Sequence, residues 1–329
     1  MSSDPTAIFR EATAFWRSAA LFAACDLGVF DGLAEGAASA SELAERLGAS
    51  ERGVGELLES CVCLGLVEKD GASYRNAEIA ARYLTSGSPD SLLTAMDLQA
   101  HTFPLWGRLP DAVRGGKPVV PPSSMVGGDK EFTRHLIVGM DQRSRTMAPH
   151  IVENIDLSDR SVLADIGGGG GSFSIALCRE YPRLSARVMD LAPVLEIAKE
   201  LIGESGLGDR IATVPCDATS DGFGSGYDAA LVSGLLHRMD PDQCRTILGN
   251  VFAGLESGGL VVVNDLFGSD EAPAMAVLFG LQMLLTVDGG VTHAAGDVSR
   301  WLSDCGFVGV RTKTLPPPHP HTLVIADKP

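Results

Sequence analysis

The chain has 329 residues, a formal net charge of −16 and a pI near 4.8, with 45% hydrophobic and 6% aromatic residues. That length allows two domains with cores of their own, and the acidic balance opposes long-range attraction to nucleic acid or an anionic membrane. Seven scattered cysteines without a C-x-x-C pair read as free thiols of a reducing cytoplasm, and Met1–Pro5 lacks a signal peptide's basic start and apolar core.

Residues 6–35 form an Ala-rich helical pattern punctuated by Gly28 and Gly32. Ser41 is expected to cap a short helix that Gly48 ends, and Ser50 a second helix, Glu51 to Leu64, closed by Gly65. Leu66 to Arg75 reads as two short strands about Asp70-Gly71. Helix, turn, helix, hairpin is a winged-helix pattern. Its second helix carries Glu51, Glu56 and Glu59 against Arg52, so a dimerisation module fits better than a DNA reader.

Residues 100–127 are rich in proline and glycine (Pro104, Pro110, Gly115, Gly116, Pro118, Pro121, Pro122, Gly127, then Gly128) and read as loop with one short helix. A domain boundary is expected there or shortly before. Residues 130–155 look helical. From 161 onward, strands at 161–165, 186–190, 211–215, 228–233, 259–264, 307–314 and 322–327 are expected. Helices at 172–181, 193–206, 241–256 and 297–305 lie between them. Such alternation predicts a mostly parallel sheet covered on both faces. Only Pro316 to His321 joins the last two strands, so the final strand should run antiparallel. Ala272 to Val287 is the most apolar segment; too short to span a bilayer, it reads as a buried helix.

The most informative run is Asp165-Ile166-Gly167-Gly168-Gly169-Gly170-Gly171, between an apolar strand pattern and a helix pattern. Such a turn lets a ligand approach backbone closely and aims helix N-terminal N–H groups at it. A G-x-G-x-x-G dinucleotide fingerprint fails at Ser172. The run instead satisfies D-x-G-x-G-x-G through Gly167, Gly169 and Gly171. Each following strand end offers a polar group: Asp190, Asp217, Ser233 leading to His237, and Asn264-Asp265. Asp190 can accept hydrogen bonds from both hydroxyls of a ribose, or cap the next helix. Asp217 can accept from an adenine amino group, or serve a turn. His237 is either a proton acceptor or a solvent-facing loop residue.

These residues resemble the class I S-adenosylmethionine-dependent methyltransferases. The whole chain resembles the O-methyltransferases of natural-product pathways, which include plant caffeate and flavonoid enzymes and bacterial relatives. The resemblance rests on Asp165 to Gly171, Met189 to Pro193, Asp228 to His237 with Cys244 beyond, and Leu281 to Gly290, in that order. It implies an α/β fold: a Rossmann-like, seven-stranded, mostly parallel sheet with an N-terminal helical, winged-helix-like dimerisation domain. The implied division is 1–100 for dimerisation, 101–155 as helical linker and pocket segment, and 156–329 as the cofactor-binding catalytic domain.

It also implies roles. Ser144, Asp165, Gly167, Gly169, Asp190, Leu191, Asp217, Ala218 and Ser233 would hold S-adenosylmethionine, which leaves as S-adenosylhomocysteine. His237 would take a proton from an acceptor hydroxyl, and Asp265 would orient it. Phe103, Trp106, Met140, Arg238, Phe279 and Met283 would meet an aromatic or polyketide-like small molecule. The sequence departs from the family at Arg238, where an acidic residue is common, and at Thr292, where another is. Those departures keep open a cofactor-retaining, non-methylating reaction. A homodimeric cytoplasmic enzyme is expected, with no metal, nucleic-acid or membrane partner. His101, His135, His293, His319 and His321 show no metal spacing.

Overall fold

The computed structural model describes residues 4–120, 126, 129–268, 273–316 and 319–329. Met1 to Ser3, Pro121, Pro122, Gly127, Gly128, Ala272, Pro317 and Pro318 lie outside the described residues. The chain divides into two compact units, Met1–Thr102 and Phe103–Pro329.

The first unit runs α1 (Thr6–Thr13), α2 (Phe15–Asp26), α3 (Val29–Ala34), α4 (Ala40–Leu47), α5 (Glu51–Cys63), β1 (Val67–Asp70), β2 (Ser73–Asn76) and α6 (Glu78–Tyr83). Helix α7 (Leu93–Trp106) passes through the division. Phe30, Leu43, Leu58 and Cys61 are fully buried among the helices, with Val67 and Tyr74 contributed by the hairpin. Ser39, not Ser41, caps α4. Its side chain accepts from Glu42 N–H while the Glu42 carboxylate takes the Ser39 N–H, a reciprocal box that Ser41 has no partner to form. Ser50 caps α5 as expected. In the hairpin, Asp70 pairs with Ser73, and Gly71 takes φ +58° at the first central turn position. Helix α7 continues through Pro104, where loop was expected.

The second unit continues with α8 (Leu109–Gly115) and α9 (Lys130–Asn154). Then β3 (Val162–Ile166), α10 (Ser172–Glu180), β4 (Ser185–Asp190), α11 (Ala192–Glu204), β5 (Ile211–Pro215), β6 (Tyr227–Ser233), α12 (Pro241–Gly254) and β7 (Leu255–Asp265) alternate. It closes with α13 (Ala274–Thr286), α14 (Ala295–Asp304), β8 (Val308–Thr314) and β9 (Thr322–Asp327). The seven-stranded sheet has the order β5-β4-β3-β6-β7-β9-β8. All pairings from β5 to β7 are parallel, and β9 is antiparallel to both neighbours.

Period-two alternation splits the strand side chains between two cores. Ala164, Ile166, Ala230, Val232, Val261 and Val263 point to one face, against Ile247 and Val251 of α12 and Trp301 of α14. Leu163, Ala229, Leu231, Leu260 and Val262 point to the other, against Ile151, Leu177 and Leu195 of α9, α10 and α11. Both faces are covered, which a parallel sheet requires. Helix α13 is not buried all round: Met275, Val277 and Leu278 are more than half exposed in the single chain, while Ala276, Met283 and Leu285 are buried. A run with almost no polar residue gives no periodic signal of which face turns inward.

Candidate active site

An open α/β sheet offers ligands a crevice at its carboxyl edge, where the strand order reverses. Here that point lies between β3 and β6. The glycine turn follows β3 and leads directly into α10. Gly167, Gly169 and Gly171, the alternating glycines of the motif, take φ +68°, +55° and +84°. An alanine there would be strained, since the left-handed region crowds a Cβ. The intervening glycines are needed for space. A Cβ on Gly168 would stand 2.8 Å from Asp165 Cγ, and one on Gly170 would stand 2.8 Å from Leu201 Cδ1. Only a Cβ on Gly169 would meet nothing within 4 Å, so Gly169 faces open space.

Asp165 lies behind this turn. It is fully buried, accepts from Ser174 Oγ at 2.6 Å through Oδ2, and leaves Oδ1 without a partner. Burial pushes its carboxyl up to about 6. Its part is to support the turn from below rather than to face solvent. Asp141 of α9 supports the other end, accepting from Ser172 Oγ and from Arg145 Nε at 2.7 Å.

Asp190 ends β4. Gly169 N–H donates to its Oδ2 at 2.9 Å and Leu191 N–H to its Oδ1 at 2.7 Å. Burial raises its carboxyl pKa, against those two N–H groups and the charge of Arg238. Arg238 is in turn lowered by burial and raised by Asp190. The cation beside His237 in sequence thus has Asp190 as its electrostatic partner. Leu191 is half-exposed at the N-cap of α11. After β5, Asp217 accepts from Thr219 N–H and Oγ1 through Oδ1, at 2.9 and 2.6 Å, which lowers its pKa. Ala218 packs at the rim of the core beside it. At the end of β6, Ser233 lies opposite Asn264, whose amide donates to Ser233 Oγ at 2.9 Å.

His237 sits in a 3₁₀ turn, Leu236–Arg238, entered from β6 through Gly234 at φ +64°. Its Nδ1 lies 2.7 Å from Asp265 Oδ1, and its backbone N–H donates to Asp265 Oδ2 at 3.3 Å. Asp265 also accepts from Leu266 N–H at 2.8 Å. Burial pushes the Asp265 carboxyl up, but His237 and the two N–H groups outweigh it and hold the pKa below its usual value. A carboxylate accepts only, so Nδ1 carries the hydrogen, and in the neutral form of the ring the lone pair is on Nε2. The His237 side chain is 13% exposed and that of Asp265 4%. Phe279 of α13 meets the His237 ring edge-on at 4.8 Å.

Three of the expected pocket residues gather here. Phe279 touches His237, Met283 is buried one turn further on, and Trp106 Nε1 donates to Gln282 Oε1 at 2.9 Å. Phe103 is half-buried one turn before Trp106, and Met140 is exposed on α9. Ser144 is half-buried on α9. Its neighbour Arg143 escaped the sequence reading. Arg143 is exposed on α9; desolvation lowers its pKa, with the charge of Asp265 opposing. Gln282 was visible in the sequence only as the polar break in an apolar run. His293 was visible only as a histidine without metal spacing.

Comparison with known proteins identifies the family. The O-methyltransferase domain family matches residues 106–308, and the O-methyltransferase dimerisation domain matches residues 9–86. The chain is 36% identical to a 3-hydroxy-5-methyl-1-naphthoate 3-O-methyltransferase of Streptomyces sahachiroi, over 98% of this chain and 95% of the relative. It is 32% identical to the tetracenomycin polyketide synthesis 8-O-methyl transferase TcmO of Streptomyces glaucescens, over 99% and 97%. The structure of human N-acetylserotonin methyltransferase in complex with SAM superposes with a TM-score of 0.88 at 26% identity, covering 100% and 99% of the two chains. With its sheet order, its glycine turn and both domain matches in agreement, the chain belongs to the S-adenosylmethionine-dependent O-methyltransferase family.

Proposed function

We propose that this enzyme methylates a hydroxyl of an aromatic, polyketide-like small molecule, with His237 as general base. The carrying observation is the His237–Asp265 pair at 2.7 Å, which leaves Nε2 as the basic nitrogen beside Phe279. The residues fit the cofactor: Gly169 opens onto free space, Asp190 stands at the end of β4, and Arg143 offers a cation within electrostatic range of Asp265. In this reading Gly167, Gly169, Asp190 and Leu191 hold the ribose side, Asp217, Ala218 and Ser233 the base side, and Arg143 with Ser144 the amino-acid end.

S-adenosylmethionine supplies a sulfonium-activated methyl group, so the chain's own work is positioning and proton removal. His237 Nε2 accepts the acceptor's hydroxyl proton as the oxygen attacks. The ring then carries a positive charge, which the buried Asp265 carboxylate stabilises through Nδ1–H. Trp106, Phe279 and Met283 offer apolar surface suited to a flat ring system. The charge of Arg238 bears on Asp190, and the His237–Asp265 pair is intact beside it, which supports ordinary base-assisted transfer.

A homodimer is supported by the dimerisation-domain match and by Ile8, Phe9, Phe15 and Trp16 on α1 and α2, each more than half exposed in the single chain. Light scattering should give twice the chain mass. The net charge of −16 supports a small-molecule rather than a nucleic-acid partner. Among the described residues no helix is long and apolar enough to cross a membrane, and a cytoplasmic location is proposed. The functional test is incubation with S-adenosylmethionine and 3-hydroxy-5-methyl-1-naphthoate, the acceptor in the relative's name, alongside a panel of phenolic polyketides. A mass gain of one methyl group on any of them supports the reading. Binding of NAD in place of S-adenosylhomocysteine would overturn it.

A further inference from the structure

We propose that His293 is a positioning residue: its side chain clamps the turn that carries His237, and so holds the proposed base against Asp265. The proposal rests on the reading of His237 as base. His293 lies on the segment between α13 and α14 and is 7% exposed. Its Nε2 is 3.1 Å from Leu236 O and 3.0 Å from Met239 O, the carbonyls on either side of His237. Carbonyl oxygens only accept, so Nε2 carries a hydrogen and donates to both.

The same segment grips the turn once more, because Val291 N–H donates to His237 O at 2.9 Å. Three carbonyls within four residues of the turn therefore point into one strip of chain. The strip is tied to the other half of the pair as well. Gly268 N–H donates to His293 O at 2.9 Å, three residues beyond Asp265. His293 thus links the segment after Asp265 to the turn carrying His237.

The ring is itself held. It meets Trp301 edge-on at 5.0 Å, and Cys244 Sγ lies 3.4 Å from Nε2. Burial pushes the Cys244 thiol up to about 12, so it remains a neutral thiol near the same two carbonyls, at 3.6 and 3.8 Å. A protonated thiol is a weak donor, which leaves the imidazole N–H as the strong bond to this turn.

The test compares His293→Phe, which keeps an aromatic ring against Trp301 but has no N–H, with His293→Gln, which keeps a donor. His237→Ala is the control. With 3-hydroxy-5-methyl-1-naphthoate as acceptor, His293→Phe should lower kcat by about 10- to 100-fold, as a displaced catalytic group does, without moving KM for S-adenosylmethionine. His293→Gln should recover most of the loss. A second readout needs no acceptor. In protein labelled with ¹⁵N-histidine, the ring signals missing from His237→Ala belong to His237. In the wild type they should show a single Nδ1–H tautomer. In His293→Phe they should move toward the averaged pattern of a loosely held ring, and in His293→Gln they should return. Wild-type signals of an averaged or Nε2–H ring would overturn the His237–Asp265 reading itself. A fixed Nδ1–H tautomer in both wild type and His293→Phe would leave that reading standing and overturn the clamp.

Discussion

Gly169→Ala separates the space in front of the glycine turn from the stability of the turn. Gly169 has φ +55°, and an added Cβ would meet no protein atom within 4 Å. Left-handed alanine costs about 1–2 kcal/mol. For a unit of this size that lowers Tm by roughly 2–4 °C per kcal/mol, so the variant should fold. Its methyl group would stand in the open space assigned to the cofactor, beside the N–H that donates to Asp190 at 2.9 Å. The expected result is at least about a tenfold rise in Kd for S-adenosylhomocysteine, equivalent to 1.4 kcal/mol. Gly206→Ala is the matched control. Gly206 has φ +75°, an equally open Cβ position, and lies between α11 and β5, at the opposite edge of the sheet. It should show similar strain by differential scanning fluorimetry and wild-type affinity by calorimetry. Equal affinity in the two variants would refute the placement of the ligand against Gly169.

Three further outcomes follow from the geometry. Asp165 has its carboxyl raised from 3.8 to about 6, so its protonated form is favoured by folding; stability from this group is full below pH 3.8 and lost as pH rises through 6. That loss is at most about 3 kcal/mol at 1.36 kcal/mol per pK unit. Asp165→Asn should flatten urea-denaturation stability between pH 4 and 7, and parallel profiles for the two proteins would contradict it. Asp265→Asn removes a charge-assisted bond of about 1.5–3 kcal/mol to His237, so kcat should fall roughly 10- to 150-fold with the Kd for S-adenosylmethionine unchanged; unchanged kcat would show that the carboxylate is dispensable. Ser39→Ala should destabilise the first unit by about 0.5–2 kcal/mol, whereas Ser41→Ala should have little effect, a contrast readable by thermal melting.

β4, β6 and β7 were legible because each reads as a largely buried apolar run closed by a polar residue, whereas β8 is exposed along most of its length. That same closing residue puts Asp190, Ser233 and Asp265 at one edge of the sheet from the sequence alone. The antiparallel β9 followed from a linker too short for a crossover. What the sequence hid were matters of facing. Asp165 and Asp190 share a face of the sheet by register, yet Asp165 is buried against Ser174 while Asp190, paired beyond the end of β3, meets the Gly169 N–H of the turn. Arg238 could be placed beside His237 by sequence, but the influence of Asp190, at the end of another strand, on its charge could not. Arg143 and His293 carry no motif. Each acts through partners more than fifty residues away, and single-sequence spacing holds no trace of such a pair. Pro104 marked a break that comes two residues later, since α7 runs past it only to Trp106.

In the proposed mechanism His237 removes a proton during methyl transfer. The most direct measurement follows acceptor and cofactor together by mass spectrometry in wild type and His237→Ala. Wild type should form methylated product and S-adenosylhomocysteine in equal amounts. His237→Ala should turn over more slowly by a factor of about 10²–10⁴ with cofactor affinity retained. Full methylation by His237→Ala, or acceptor converted while the cofactor remains unconsumed, would contradict that mechanism.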